Sequence, residues 1–181
     1  MTKRIVALLP LLILLLSFGC GGGGGGGGSS YSKVTISFSL ISTATLPFRL
    51  SGFQLAGTLP AGVTVTTGDV NNPKLITNGL DLGSAITASA VSWQSLVFGS
   101  YSAPNRIRLV IADGTPDQAG FGPGEMVRLT CSITDGTAFS SSDLQALENA
   151  ITFKASGWET PTKVSPLNEF LKPKVTVTLS N

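Results

Sequence analysis

Histidine is missing from this chain altogether. Its absence removes the Ser-His-Asp and Cys-His arrangements of nucleophilic hydrolases, and any histidine-ligated zinc. Charge is sparse too: Asp, Glu, Lys and Arg make up 12% of the residues, against about 25% in typical soluble domains. Cysteine is limited to Cys20 and Cys131. A reactive thiolate needs a cationic neighbour. Cys131 lies instead on the face of Val127, Leu129 and Ile133, the setting of a small buried hydrophobe. No apolar run is long enough to span a bilayer as a helix. The run from Ile5 to Leu16 is a dozen residues broken by Pro10, where roughly 20 are needed. Glycoside hydrolysis needs only a pair of carboxylates. Glu125, however, opens a strand, Glu148 lies on a short helix, and Glu159 and Glu169 fall in polar loops. No convergent pair is indicated, and the chain reads as a non-enzyme.

What is present begins with an address. Lys3 and Arg4 precede the apolar run, which ends Leu16-Ser17-Phe18-Gly19-Cys20. Charge, short apolar stretch and small residue together are those of a secretory signal. A small residue directly before a cysteine resembles the lipobox of bacterial lipoproteins. The resemblance implies cleavage after Gly19 and a diacylglycerol on the Cys20 thiol. An ordinary signal peptide with an unmodified Cys20 would share the same charge and apolar run. Gly21, standing after the cysteine where Asp would mark inner-membrane retention, resembles lipoproteins sorted to the outer membrane. Gly21 to Gly28 and Ser29-Ser30 follow. A phosphate-cradling loop would need a strand before the glycines and a Lys-Ser/Thr opening a helix after them, and neither is there. Glycine loses the most backbone entropy on ordering, so this segment reads as a flexible tether of roughly 17 Å root-mean-square span. The expected organisation is a signal peptide over 1–19, a lipidated cysteine and tether over 20–32, and one domain over 33–181.

Of 12 basic residues, Lys3 and Arg4 leave with the signal, so ten face the 10 acidic ones and the mature chain is neutral. No basic patch is indicated, hence neither nucleic acid nor an anionic membrane surface as ligand. The membrane is reached through the lipid alone.

The domain reads as strands with turn punctuation. Lys33 to Ile41 alternates, with Val34, Ile36, Phe38 and Leu40 on one face. Further strand signals cover Phe48–Ala56, Val63–Thr67, Lys74–Thr77, Ser92–Gly99, Arg106–Ala112, Glu125–Thr134, Ile151–Ala155 and Lys174–Leu179. Gly52 marks a bulge or a close backbone approach. Asn78 to Ala90 follows no clear period. Ser142-Asp143-Leu144-Gln145 has capping-box spacing and predicts a helix over Asp143–Asn149. Eight to ten short strands and one short helix define an all-β antiparallel β-sandwich.

Two stretches carry a family resemblance. Leu50-Ser51-Gly52-Phe53-Gln54-Leu55 leads into the turn Leu59-Pro60-Ala61-Gly62-Val63. Later, Gly120-Phe121-Gly122-Pro123-Gly124-Glu125 opens the long strand Met126 to Ile133. In order and spacing these are similar to cohesin-like domains and the related carbohydrate-binding-module fold. The resemblance spans roughly residues 33 to 181. It implies a jelly-roll-like sandwich of about nine strands with a binding role, and it carries over no binding residue.

Candidate sites follow from residue type. Sugar binding needs exposed aromatics beside hydroxyls or amides. Trp158 lies beyond the Ile151–Ala155 strand, next to Glu159 and Thr160. Tyr101 lies in the loop Gly99-Ser100-Tyr101-Ser102, and Trp93 within a strand. For each, core or rim packing is the alternative. Calcium is the one cofactor considered. Asp113-Gly114-Thr115-Pro116-Asp117 places two carboxylates in one loop, and Asp69 and Asp81 flank other turns. Aspartate is also common in turns for its own sake, and no cofactor is required. The expected role is a lipid-anchored, non-catalytic binding module at the outer membrane. Its partner would be a polysaccharide or an envelope protein; the alternative is a structural subunit of an envelope assembly.

Overall fold

A computed structural model describes residues 31–68, 75–87, 96–102, 104–113, 119–134, 140–160 and 162–181. Two antiparallel sheets pack face to face, with very little helix between the strands. The first sheet holds β1 (Lys33–Ser42), β3 (Val63–Thr64), β4 (Leu80–Leu82), β7 (Gly124–Ile133) and β10 (Leu171–Ser180). Its order is β10-β1-β7-β3, with β4 also on β7. The second holds β2 (Leu50–Thr58), β5 (Leu96–Ser102), β6 (Arg106–Ala112), β8 (Thr152–Thr160) and β9 (Lys163–Pro166), in the order β5-β6-β2-β8-β9. The chain crosses between sheets at β1–β2, β2–β3, β4–β5, β6–β7, β7–β8 and β9–β10. This is the all-β sandwich that the alternation predicts.

The core is the set of inward faces. Val34, Ile36, Phe38 and Leu40 of β1 meet Val127, Leu129, Cys131 and Ile133 of β7 from the first sheet. Leu50, Phe53 and Leu55, with Ile107, Leu109 and Ile111, face them from the second. Burying each such side chain is worth about 1.5–3 kcal/mol, which is why a strict period of two is enough to set the register. The alternation slips once in β7. A bulge opposite Phe38/Ser39 lets both Met126 and Val127 go inside. Val175, Val177 and Leu179 of the edge strand β10 are half-buried against the core.

The helix forms, with a different cap. Ser140 is the N-cap of α2 (Ser141–Ala150). Asp143 N–H donates to Ser140 Oγ at 3.3 Å, and the Asp143 carboxylate accepts Ser140 N–H at 2.9 Å. Leu147 anchors α2 against β2 and β10. A short α1 (Ser84–Thr87) follows β4 in the stretch that lacked a clear period, and buries Ile86. Of the earlier expectations, Cys20, the signal and tether segments, Trp93, Asp69 and Asp117 lie outside the described residues.

Candidate functional site

The two outer faces differ. On the first sheet, Thr35, Ser37, Ser39, Thr130, Thr176 and Thr178 cover β1, β7 and β10 with hydroxyls. On the second sheet, small residues line up across three strands. Gly52 of β2 pairs with Ala112 of β6 on one side and with Ser156 of β8 on the other. None of the three raises a large side chain, so the face sinks there into an open groove of about 650 Å³. Its walls are Gln54, Val110 and Lys154 on one flank, and Val164, Ser165, Pro166 and Asn168 on the other. The groove is mainly apolar. Val164 is 47% exposed, and Phe98, which pairs with Val110 on the same face, is 48% exposed.

Several devices hold this shape. A bulge between Leu50 and Gly52 puts Ser51 on the groove side, where its Oγ lies 3.2 Å from Ser156 Oγ. Gly52 has room to spare: a Cβ there would meet Ser156 Oγ at 3.4 Å and the Ile111 carbonyl at 3.5 Å, ordinary contacts. Beyond the end of β9 the ladder is continued by a side chain. Asn168 Oδ1 accepts Ala155 N–H at 3.0 Å, and its Nδ2 donates to the Phe153 carbonyl at 2.9 Å. The open edge of β8 is thereby closed.

Trp158 stands at the end of the groove. Cross-strand pairing carries β8 on past Ala155, so Trp158 sits within a strand and not beyond one. Its partner on the outer face is Val164. The half-buried indole reaches across β2, and Nε1 donates to Asp113 Oδ2 at 3.3 Å. Asp113 is only 8% exposed and its Oδ2 also accepts the Gly120 N–H at 2.9 Å. Arg49 holds the same glycine from the other side, with Nη2 3.1 Å from the Gly120 carbonyl. Gly120 has φ +62°, and a Cβ there would lie 2.7 Å from the Leu50 carbonyl. Only glycine fits. The clasp sets Phe121, fully buried, into a two-way backbone pairing with Leu50 at 2.9 Å.

Tyr101 goes elsewhere. It lies within β5 and not in a loop, because pairing with β6 runs on through Ser102; there it pairs with Ile107 on the inner face and packs against the core. Its hydroxyl donates to Asn105 Oδ1 at 2.8 Å, and Asn105, at φ 51°, ties this hairpin to the turn at Pro60. Tyr101 and Trp158 thus occupy opposite faces and are not brought together. The acids are dispersed. Glu125 pairs with Arg128 at 3.7 Å and accepts Ser84 N–H. Glu159 accepts Lys163 Nζ at 2.7 Å and the Ser165 hydroxyl, which together hold its carboxyl below the usual range. No carboxylate among the described residues lines the groove. Among the described residues no three acids or cysteines gather where a metal could sit. Asp113 spends its carboxylate on N–H donors. The Cys131 thiol is pushed up to about 12 by burial.

The neutral net charge predicted no basic patch. The fold nevertheless collects Arg106, Arg108 and Lys154 on the outer face of the second sheet, because net charge carries no information about which strands become neighbours. The small-residue row was missed for the same reason: Gly52, Ala112 and Ser156 lie far apart in sequence. Compared with family models, with curated proteins and with solved structures, the chain finds no match.

Proposed function

We propose that this chain is a lipid-anchored, extracytoplasmic, non-catalytic binding module that docks a polypeptide partner on the outer face of its second sheet. The observation that carries the reading is the preformed groove of about 650 Å³, mainly apolar and with no carboxylate among its described lining residues. Binding sites of this kind are concave, apolar and largely built in advance. A protein ligand is favoured over a polysaccharide because the aromatic residue in the groove lining, Phe53, is 2% exposed with its ring in the core and offers no stacking platform. The Trp158 indole N–H, which a sugar hydroxyl would use, is engaged by Asp113. The lipobox-like ending at Cys20 and the glycine tether behind it support an anchor at the outer membrane with reach toward a partner. The cohesin-like resemblance agrees with a binding role.

Gly52→Leu tests the docking surface, since it fills the groove and its first side-chain carbon meets only ordinary contacts. Envelope extracts passed over immobilised full-length protein should yield a partner that the Gly52→Leu protein fails to retain. Equal recovery on both would contradict the reading. Cys20→Ser should move the protein from the membrane to the soluble fraction, and persistence in the membrane would remove the anchor from the proposal.

A further inference from the structure

We infer that the segment docked in this groove is acidic: an extended strand with carboxylates on alternate residues and apolar side chains between them. The inference rests on the docking reading above and adds the chemistry of the ligand. Arg106, Arg108 and Lys154 all project from the outer face, through their pairings with Thr58, Ala56 and Gln54; Lys154 lines the groove, and Arg108 and then Arg106 continue along β6 beyond its Val110 end. Among the described residues no strand residue of that face is an acid. The ion pairs among the described residues, Glu125–Arg128 and Glu159–Lys163, leave these three cations without an acidic partner. Arg108 is also aimed: its Nη2 donates to Gln54 Oε1 at 2.8 Å, which draws the guanidinium across β2 toward Lys154. Arg106 and Arg108 are two residues apart on one strand, so their stems lie about 7 Å apart. That is within the screening length of about 8 Å at physiological salt, and the two act as one field. An extended peptide repeats its same-side side chains at the same interval of about 7 Å. Carboxylates on one side of it can meet Lys154 and Arg108 along one flank while the intervening apolar groups face Val164 and Pro166 on the other. A mainly apolar groove is a poor match for a nucleic-acid backbone, and its floor lies below the reach of a flat membrane surface.

The test is fluorescence anisotropy on full-length protein in nonionic detergent. The probe is a fluorescein-labelled decapeptide of alternating glutamate and valine, with lysine replacing glutamate in the control peptide. The acidic peptide should bind and the basic one should not. Affinity should fall roughly tenfold or more when salt is raised from about 50 to about 300 mM, and by a similar factor in the Arg108→Gln/Lys154→Gln protein. Equal binding of both peptides, or of neither, overturns the inference. So does preferential binding to polygalacturonate or to phosphatidylglycerol vesicles. Gly52→Leu separates the two layers. If the envelope partner is lost with Gly52→Leu but kept by the double charge variant, docking stands and the acidic ligand falls. If Gly52→Leu changes nothing, the groove itself falls.

Discussion

Asp113→Ala should loosen the closed end of the groove by an amount the geometry sets. In the native fold Asp113 Oδ2 accepts the Gly120 N–H at 2.9 Å and the Trp158 indole at 3.3 Å. Gly120 is buried, so its N–H would lose its acceptor with no water to replace it, at about 1–3 kcal/mol. Trp158 is half-buried and can rehydrate, which limits the second loss to about 0.5–1 kcal/mol. Removing a nearly buried carboxylate returns part of its desolvation cost. The net is about 2–3 kcal/mol. At about 2–4 °C per kcal/mol for a domain of this size, Tm should fall by about 5–10 °C. Trp158→Phe, which deletes the indole donor together with some half-buried ring surface, should cost about 1 kcal/mol. Thermal and urea unfolding followed by circular dichroism measure both. An Asp113→Ala protein within about 0.5 kcal/mol of the native one, or a Trp158→Phe cost equal to that of Asp113→Ala, would deny Asp113 this role.

Other outcomes follow from single contacts. Gly120→Ala must place a Cβ 2.7 Å from the Leu50 carbonyl at φ +62°. It should therefore destabilise by more than about 2 kcal/mol, and a urea midpoint close to the native value would contradict the clasp. In a Cys20→Ser chain, the remaining thiol, raised from 9.0 to about 12, should react with a disulfide reagent about a thousandfold more slowly than an exposed cysteine. Labelling should become fast only on unfolding, and rapid labelling of the native protein would place Cys131 outside the core. Asp143 has its carboxyl lowered by the Ser140 hydroxyl and N–H. A lowered folded value supplies stability that is complete above the unfolded value near about 4 and is lost as pH falls through the folded one. Asp143→Asn should thus be less stable than the native protein at pH 7, and the gap should close as the pH drops toward 2. A gap independent of pH would deny the capping role.

The fold was legible because its core strands alternate cleanly. Arg106 to Ala112 was readable end to end, since Ile107, Leu109 and Ile111 are three large apolar residues at period two. β8 was readable only to Ala155, because Gly157, its next inward residue, carries no hydrophobic signal although it is buried. That shortfall placed Trp158 outside a strand it belongs to. Gly52 was legible as a bulge or close approach, and the bulge is there. The helix was legible and its cap was not: Ser140 and Ser142 both precede Asp143, and only backbone geometry selects Ser140. The groove was beyond reach for a different reason. It is made by what Gly52, Ala112 and Ser156 lack, and by a strand order that no local pattern encodes.

Ligands should meet this protein on the second sheet and not on the first. A photo-crosslinking residue placed at Val110, in the groove, and separately at Thr176, on the hydroxyl-covered face of β10, tests it in intact cells. Position 110 should give a discrete adduct and position 176 none. Adducts from position 176 alone, or equally from both, would contradict this.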